Sequence, residues 1–206
     1  MTIPAYWKQA SRELAQRDGV LRRLIEMHSG LAMRSRGDAF MTLARSIVGQ
    51  QISLKAADTV WQKMLTAVPS ISAKHIAGAD SAKLRNCGLS GNKVLYLQNL
   101  AQHFVNGSLN VADWKRLNDD ELIAELTQVK GIGRWTAEMF LIFYMMRPDV
   151  LPLDDIGLQK AMSMHYNKNR PLSKLKMRAI AIDWTPWRSV ATWYLWRSLD
   201  PIPVEY

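Results

Sequence analysis

The chain has 206 residues, enough for one hydrophobic core or for two small lobes, and its 48% hydrophobic and 22% charged residues are ordinary for a globular protein. This composition argues against an extensively disordered or collagen-like chain. The formal net charge is +9, from 27 Lys and Arg against 18 Asp and Glu, and it favours a polyanionic partner.

Two further features narrow the choice of partner and compartment. The first residues contain no apolar signal segment, and no stretch approaches the roughly 18 apolar residues of a membrane span. We therefore favour nucleic acid, with a basic protein that has no such partner as the alternative. The single Cys87 excludes an internal disulfide and a Cys-ligated iron–sulfur cluster or zinc ribbon. We expect a cytoplasmic, nucleoid-associated protein, or a nuclear one in a eukaryote, and not a secreted one.

Apolar residues recur with a helical period, and period-2 alternation is almost absent, so the predicted fold class is all-α. The first clear helices are predicted at 38–51, at 53–68 after an N-cap at Ser53, and at 90–104. Each carries a stripe that we expect in the core. The stripes are Phe40, Leu43, Ala44, Ile47 and Val48, then Ala56, Val60, Trp61 and Met64, then Val94, Leu97, Leu100, Ala101 and Phe104.

The segment "NDDELIAELTQVKGIGRW" predicts two helices joined by a tight turn. Asn118 and Glu121 have the spacing of a capping box, and Gly131 and Gly133 permit the backbone conformations of a sharp turn before a helix that begins at Arg134. The free N–H groups at that helix start suit a phosphate. A plain helical hairpin without a ligand is the alternative.

Asp154 and Asp155 precede a helix predicted at 156–165, and either could cap it. Adjacent helical residues point about 100° apart, so the pair does not converge on one metal ion. The four histidines show no zinc-binding spacing, and no Walker-type glycine loop is present. Side chains therefore predict no catalytic metal.

Three ordered stretches resemble one known family. They are "SIVGQQISLKAA" at 46–57, "VKGIGRWTAEMFLIF…LPLDDIGLQKAM" at 129–162 and "PWRSVATWYLW" at 186–196. Together they resemble the 3-methyladenine DNA glycosylase II, or AlkA-type, branch of the helix-hairpin-helix DNA glycosylase superfamily, over roughly residues 38 to 199. The resemblance implies two helical lobes flanking a DNA-binding cleft. One is a helical barrel at 35–146 that ends in the hairpin at about 119–146, and the other, 1–34 with 147–206, carries the catalytic aspartate.

The resemblance also implies roles for individual residues. The catalytic aspartate lies about 20 residues beyond Trp135, which gives Asp155, with Asp154 as the alternative register. If Asp155 is catalytic, Asp154 is left to cap the helix or to support Asp155. Trp135 stands where lyase-competent relatives carry a Schiff-base lysine, which implies a monofunctional enzyme. Trp135 and Trp196 match positions that line the base pocket. Gln51 matches the wedge that fills the gap left by a flipped base.

The hairpin is implied to bind DNA phosphate and an ion. Phosphate contacts fall on Gly131, Ile132, Gly133 and Arg134. The backbone carbonyls of Thr127, Val129 and Ile132 would hold a structural monovalent cation, Na⁺ or K⁺, and no other cofactor is expected.

The implied activity is excision of alkylated purines, of the 3-methyladenine and 7-methylguanine type, from double-stranded DNA by hydrolysis of the N-glycosidic bond. This reaction needs base flipping and starts base excision repair. We expect a monomer without membrane association. A non-catalytic helix-hairpin-helix DNA-binding module and a glycosylase for another damaged base are the alternatives.

Overall fold

The computed structural model describes residues 3–35 and 37–199, without the side chain of Leu54. Every regular element in these ranges is a helix, which confirms the predicted all-α class. None of these helices has the length and apolar character that a bilayer span requires. The helices are α1 Trp7–Arg17, α2 Gly19–Met27, α3 Ala39–Gly49, α4 Leu54–Ala67, α5 Ala73–Ala77, α6 Ser81–Asn86, α7 Gly91–Val105, α8 Asp119–Leu126, α9 Arg134–Phe143, α10 Ile156–Tyr166, α11 Lys174–Ile180 and α12 Arg188–Arg197.

Most helices begin at a side chain that accepts a hydrogen bond from a backbone N–H of the first turn. The predicted cap at Ser53 is confirmed by its bond from the Ala56 amide. The predicted capping box of Asn118 and Glu121 is also present in full. Each such cap stabilises a helix by about 1 kcal/mol, so short polar residues set the helix starts.

The described residues from 37 to 140 form one compact unit. Its core contains a chain of edge-to-face aromatic rings, with centroids 5.4 Å apart for Phe40 and Phe104, 6.0 Å for Phe104 and Trp114, and 5.3 Å for Trp114 and Phe140. Trp114 is fully buried and donates its indole N–H to Glu125 at 2.7 Å. Helices α3 and α7 pack together around this core.

The predicted stripe of α3 is buried throughout. The stripe of α7 is buried except at Phe104, which is half-buried. For α4 the prediction is wrong in part, because Ala56 is exposed and Val60 is half-buried, while Trp61 and Met64 are buried. Alanine has little apolar area to bury, so its position is a poor marker of the inward face.

The described residues up to 35 and from 141 onward form a second compact unit, assembled from two distant parts of the chain. Trp7 of α1 packs against two rings of α12, with centroids 5.1 Å from Trp193 and 5.6 Å from Tyr194. The hydroxyl groups of Ser11 and Tyr194 also lie 3.1 Å apart. Helices α1 and α12 therefore share one core.

Asp18 links three segments of this second unit. One carboxylate oxygen caps α2 by accepting from the amides of Val20 and Leu21, and the other accepts from the Tyr166 hydroxyl at 2.8 Å and from the Trp184 indole at 3.0 Å. Because both donors are partly or fully buried, these charge-assisted bonds tie α2 firmly to the chain around α10 and α11.

Candidate active site and nucleic-acid interface

The loop that precedes α10 is held by the first residues of α12. Arg188 forms a bidentate ion pair with Asp149, with Nε to Oδ1 and Nη2 to Oδ2 both at 2.7 Å. The hydroxyl of Ser189 donates to the Arg147 carbonyl at 2.6 Å and accepts from the Val150 amide at 2.9 Å. A bidentate pair and a buried hydroxyl constrain backbone direction, so the start of α12 sets the path of the chain towards α10.

Asp155 lies at the head of α10 and is its cap. Its Oδ1 accepts from the Leu158 amide at 2.6 Å, and its own amide donates to the Pro152 carbonyl at 3.0 Å. The residue is only 8% exposed. Unpaired N–H groups and the helix dipole stabilise a negative charge at this position, so the local fold places a buried carboxylate at a helix N-terminus.

Asp154 has a different environment from its neighbour. It is exposed and forms an ion pair with Lys174. The possibility that Asp154 caps α10 is therefore wrong, since Asp155 makes the capping bond. An exposed ion pair contributes about 0–1 kcal/mol, so Asp154 has little structural weight. That Asp154 supports Asp155 in the reaction stays a prediction.

Trp196 contacts the candidate catalytic carboxylate directly. Its indole Nε1 donates a hydrogen bond of 2.7 Å to Oδ1 of Asp155. The ring also stacks on Phe143, with centroids 5.7 Å apart and planes 17° apart. Sequence reasoning assigned Trp196 to the base pocket, which stays a prediction, and it missed the contact with Asp155.

Gly157 lies next to both partners of that hydrogen bond. A Cβ at Gly157 would lie 3.0 Å from Oδ1 of Asp155, 3.2 Å from Cδ1 of Trp196 and 3.3 Å from its Nε1. Those separations are tighter than ordinary van der Waals contact, so a side chain here would displace the indole or the carboxylate. Sequence reasoning gave Gly157 no role, although glycine is a weaker helix former than alanine and its presence in α10 could have marked the position.

The hairpin turn between α8 and α9 belongs to the other unit. Gly131 has a φ of +94°, and a Cβ there would lie only 2.3 Å from the Tyr96 ring. The amide of Lys130 donates to the side-chain oxygen of Asn99 in α7 at 3.0 Å, so α7 helps to hold the turn in place. The Ile132 amide donates to the Val129 carbonyl at 3.0 Å. The predicted phosphate contact of Ile132 would need that bond to be shared or opened.

Arg134, the first residue of α9, makes two ion pairs within this unit. Its Nε lies 3.0 Å from the buried Glu138, and its Nη2 lies 3.4 Å from Asp120. The guanidinium stays 58% exposed, which fits the predicted phosphate contact. Removing the guanidinium would also take an ion-pair partner from the buried Glu138 carboxylate. A substitution at Arg134 would therefore change both the stability of the fold and the contact with DNA.

The predicted wedge residue, Gln51, is exposed. Its backbone φ is 58°, a value that residues other than glycine rarely adopt. Its neighbour Gln50 donates its side-chain amide to the Gly131 carbonyl at 2.9 Å. Lys93 donates to the carbonyl of Val48 at 2.8 Å, near the end of α3, and burial lowers the pKa of its amine. The chain that leads into Gln51 is thus held by two hydrogen bonds, at Val48 and at Gln50, and the role of Gln50 was missed by sequence reasoning.

Comparison with known proteins identifies the family of this chain. The description "HhH-GPD superfamily base excision DNA repair protein" matches residues 44–186, which cover α4 to α11, the hairpin and Asp155. The chain belongs to the HhH-GPD superfamily.

Individual members of the superfamily are similar to this chain. DNA-3-methyladenine glycosylase 1 of Schizosaccharomyces pombe is 32% identical over 169 residues, which cover 78% of this chain and 72% of that protein. The structure of a 3-methyladenine DNA glycosylase of the same yeast in complex with abasic DNA superposes with a TM-score of 0.82 at 28% identity, over 92% of this chain and 96% of that one. A DNA-3-methyladenine glycosidase of Bacillus halodurans superposes with a TM-score of 0.85 at 28% identity, over 97% and 93%.

Within this HhH-GPD chain, Trp135 lies in the first turn of α9 and is half-buried. An indole cannot form an imine with a sugar aldehyde, so this position holds no Schiff-base nucleophile. Trp61, which the sequence analysis placed in the core, is 5% exposed, which confirms that prediction, and Trp7 and Trp114 are 4% and 0% exposed.

The carbonyls of Thr127, Val129 and Ile132 come from the turn of the HhH-GPD hairpin. Oxygen donors of this kind suit a hard cation, and the Val129 carbonyl keeps a second lone pair beside its bond from the Ile132 amide. The donor chemistry therefore fits Na⁺ or K⁺. Among the residues that the structure describes, no group of three or more His, Cys, Asp or Glu side chains forms a metal site.

Proposed function

We propose that this protein is a monofunctional DNA glycosylase that excises alkylated purines, of the 3-methyladenine and 7-methylguanine type, from double-stranded DNA. The observation that carries the proposal is the environment of Asp155. This carboxylate is 8% exposed, caps α10, and accepts a hydrogen bond from Trp196. The relatives named as 3-methyladenine glycosylases support the choice of substrate class.

The chemistry follows from the charge that the reaction creates. Breaking the bond between base and deoxyribose leaves positive charge on the sugar, and an ionised, immobilised Asp155 stabilises that charge while water attacks C1′. An alkylated purine already carries positive charge, so it leaves without strong protonation by a general acid. The protein therefore needs a fixed carboxylate more than it needs an acid.

Reaching the bond requires that the nucleotide leave the duplex. In this proposal Gln51 fills the gap, and a backbone phosphate is bound by Gly131, Ile132, Gly133 and Arg134. The indoles of Trp135 and Trp196 bind the extruded base, where a cation over an aromatic face contributes about 0.5 to 2 kcal/mol and rewards a charged lesion over a normal base.

The proposed enzyme releases the base without cutting the strand. Lyase activity in this superfamily's chemistry needs an amine that attacks C1′, and the side chain at position 135 is an indole. The product is then an abasic site that only alkali or another enzyme cleaves.

We propose that the protein works as a monomer on double-stranded DNA. Its formal charge of +9 favours the phosphate backbone and makes binding weaken as salt rises. A monovalent cation held by Thr127, Val129 and Ile132 would place positive charge beside the phosphate that the hairpin binds.

The experiment that tests the activity is release of free bases from methylated duplex DNA, measured by chromatography for the wild type and for Asp155→Asn. We expect methylpurine release from the wild type and none from Asp155→Asn. Strand nicks should appear only after alkali. Intact DNA with salt-sensitive binding would contradict the enzyme and favour a non-catalytic DNA-binding module, and release of a different base would redirect the substrate class.

A further inference from the structure

The hydrogen bond between Trp196 and Asp155 points to a function for Trp196 beyond the base pocket. We infer that Trp196 is a positioning residue whose indole N–H holds the Asp155 carboxylate in its reactive orientation, and that Gly157 lacks a side chain to leave room for that contact. The inference rests on the proposed glycosylase function. It explains why a tryptophan occupies position 196 and why a glycine occupies position 157.

Two donors meet on one oxygen of the carboxylate. Oδ1 of Asp155 accepts from the Leu158 amide at 2.6 Å and from the Trp196 indole at 2.7 Å. Two donors that approach one oxygen from different directions restrain the plane of the carboxyl group more than either donor does alone. The indole therefore adds a constraint on the carboxylate from α12 to the one that the cap of α10 supplies.

The indole is itself restrained. Trp196 lies near the end of α12, and its ring stacks on Phe143 with centroids 5.7 Å apart. The beginning of the same helix is tied to the preceding loop by the bidentate pair of Arg188 and Asp149. A donor mounted on a helix that is anchored at its far end gives a precise direction to the carboxylate.

Gly157 explains how the indole reaches its acceptor. The nearest approach of a Cβ at this position is 3.0 Å to Oδ1 of Asp155, and the next two atoms it meets belong to the edge of Trp196. Both groups would have to move by a few tenths of an ångström to admit a methyl group. The glycine is therefore required by the hydrogen bond, since α10 would be more stable with alanine at a permissive site.

The first test is Trp196→Phe, which keeps an aromatic ring beside Phe143 and removes the N–H. The single-turnover rate of base release from methylated duplex DNA should fall about 10- to 100-fold, the loss typical of one hydrogen bond to a charged group. Affinity for a duplex with a tetrahydrofuran abasic analogue should stay within about 2-fold, because that probe has no base for the pocket to bind. A merely structural role would lower affinity and rate together.

Trp193→Phe is the matched control in the same helix. Trp193 is buried against Trp7 and Tyr194, so its replacement should lower the melting temperature and leave the single-turnover rate at the wild-type value. A rate loss in Trp193→Phe as large as that in Trp196→Phe would overturn the inference, since general loosening of α12 would then explain both.

The second test uses the glycine. Gly157→Ala should slow the single-turnover rate as Trp196→Phe does, whereas Gly19→Ala, in the first turn of α2 where a Cβ meets nothing within 4 Å, should leave it unchanged. The double variant Trp196→Phe with Gly157→Ala should be no slower than the slower single variant, because both changes remove the same contact. Additive losses would contradict a shared mechanism.

A spectroscopic readout tests the contact without catalysis. In ¹⁵N-labelled protein, the indole N–H resonance that disappears in Trp196→Phe belongs to Trp196. It should move upfield in Asp155→Asn, because a neutral amide oxygen is a weaker acceptor than a carboxylate, and it should also move in Gly157→Ala. A resonance unchanged by Asp155→Asn would overturn the inference.

The outcomes separate the two proposals. If the wild type releases no base, the glycosylase proposal fails and the positioning role fails with it. If the wild type is active and Trp196→Phe retains its full rate, only the positioning role fails.

Discussion

The side-chain amide of Gln50 donates a hydrogen bond of 2.9 Å to the carbonyl of Gly131, joining the loop that carries Gln51 to the turn of the hairpin. Two segments 81 residues apart in the chain are thus connected by one bond. In the proposed function, one of these segments fills the gap in the duplex and the other binds its backbone. The hydrogen bond would then fix the relative position of two segments of the DNA-binding surface.

Gln50→Ala should therefore weaken DNA binding as well as stability. We expect a loss of about 1 kcal/mol in the free energy of unfolding, measured by urea denaturation, because a half-buried hydrogen bond is removed. Affinity for the abasic duplex, measured by fluorescence anisotropy, should fall with it. Gln62→Ala on the exposed side of α4 is the control, and equal effects of the two variants would show that the Gly131 contact is unimportant.

Gln51 adopts a φ of 58°, so its two smallest replacements should differ. Gln51→Ala keeps the backbone strain and Gln51→Gly relieves it, and we expect the glycine variant to be more stable to urea by about 1 kcal/mol. Both variants lack the wedge and should lose base release to the same extent in single-turnover assays. Wild-type rates in Gln51→Ala would contradict the wedge assignment.

Gly131 combines a φ of +94° with close contact to Tyr96, so Gly131→Ala should be severely destabilising. Backbone strain and overlap with the ring together predict a loss of about 2–4 kcal/mol in the free energy of unfolding. Gly133→Ala, whose Cβ meets nothing within 4 Å, should cost less than about 1 kcal/mol at the start of α9. Equal losses in the two variants would contradict the special status of Gly131.

Two histidines predict how stability depends on pH. Burial lowers the pKa of His28 and of His165 below the ordinary value of 6.5, and the charges of Arg197 and Arg23 act in the same direction. As pH falls through 6.5, the two histidines become protonated in the unfolded chain while they stay neutral in the folded one. The free energy of unfolding should therefore fall. The stability from these groups is fully present above that pH.

Urea denaturation at several pH values between about 7 and 5 measures this slope. His28→Gln and His165→Gln should each flatten it, even where the substitution lowers stability at neutral pH through the lost bond between His165 and Ser198. An unchanged slope in both variants would place the proton uptake elsewhere.

Sequence reasoning predicted what depends on local periodicity and local capping. The α3 stripe, the Ser53 cap and the capping box of Asn118 and Glu121 are confirmed, because each involves residues within one helix. The exposed Ala56 shows the limit of periodicity, since a small side chain contributes little burial energy on either face.

Contacts between distant segments were not predictable in this way. The bond from Trp196 to Asp155 spans 41 residues, and the bond from Gln50 to Gly131 spans 81. Both depend on how helices pack, and no local pattern reports which of two adjacent glutamines turns inward. The resemblance to a family predicted roles for Asp155, Trp196 and Gln51. The contacts of Gly157 and Gln50 are seen only in the structure.

The unit that carries Asp155 is built from the beginning and the end of the described chain, with Trp7 of α1 against Trp193 and Tyr194 of α12. During synthesis, the continuous unit from 37 to 140 can complete its aromatic core before α12 is made, whereas α1 must wait for α12, which is translated after that whole unit. A truncated polypeptide that lacks α12 would therefore leave Trp7 exposed to chaperones and proteases. The loss of α12 would thus remove both the packing partner of α1 and the hydrogen-bond donor to Asp155.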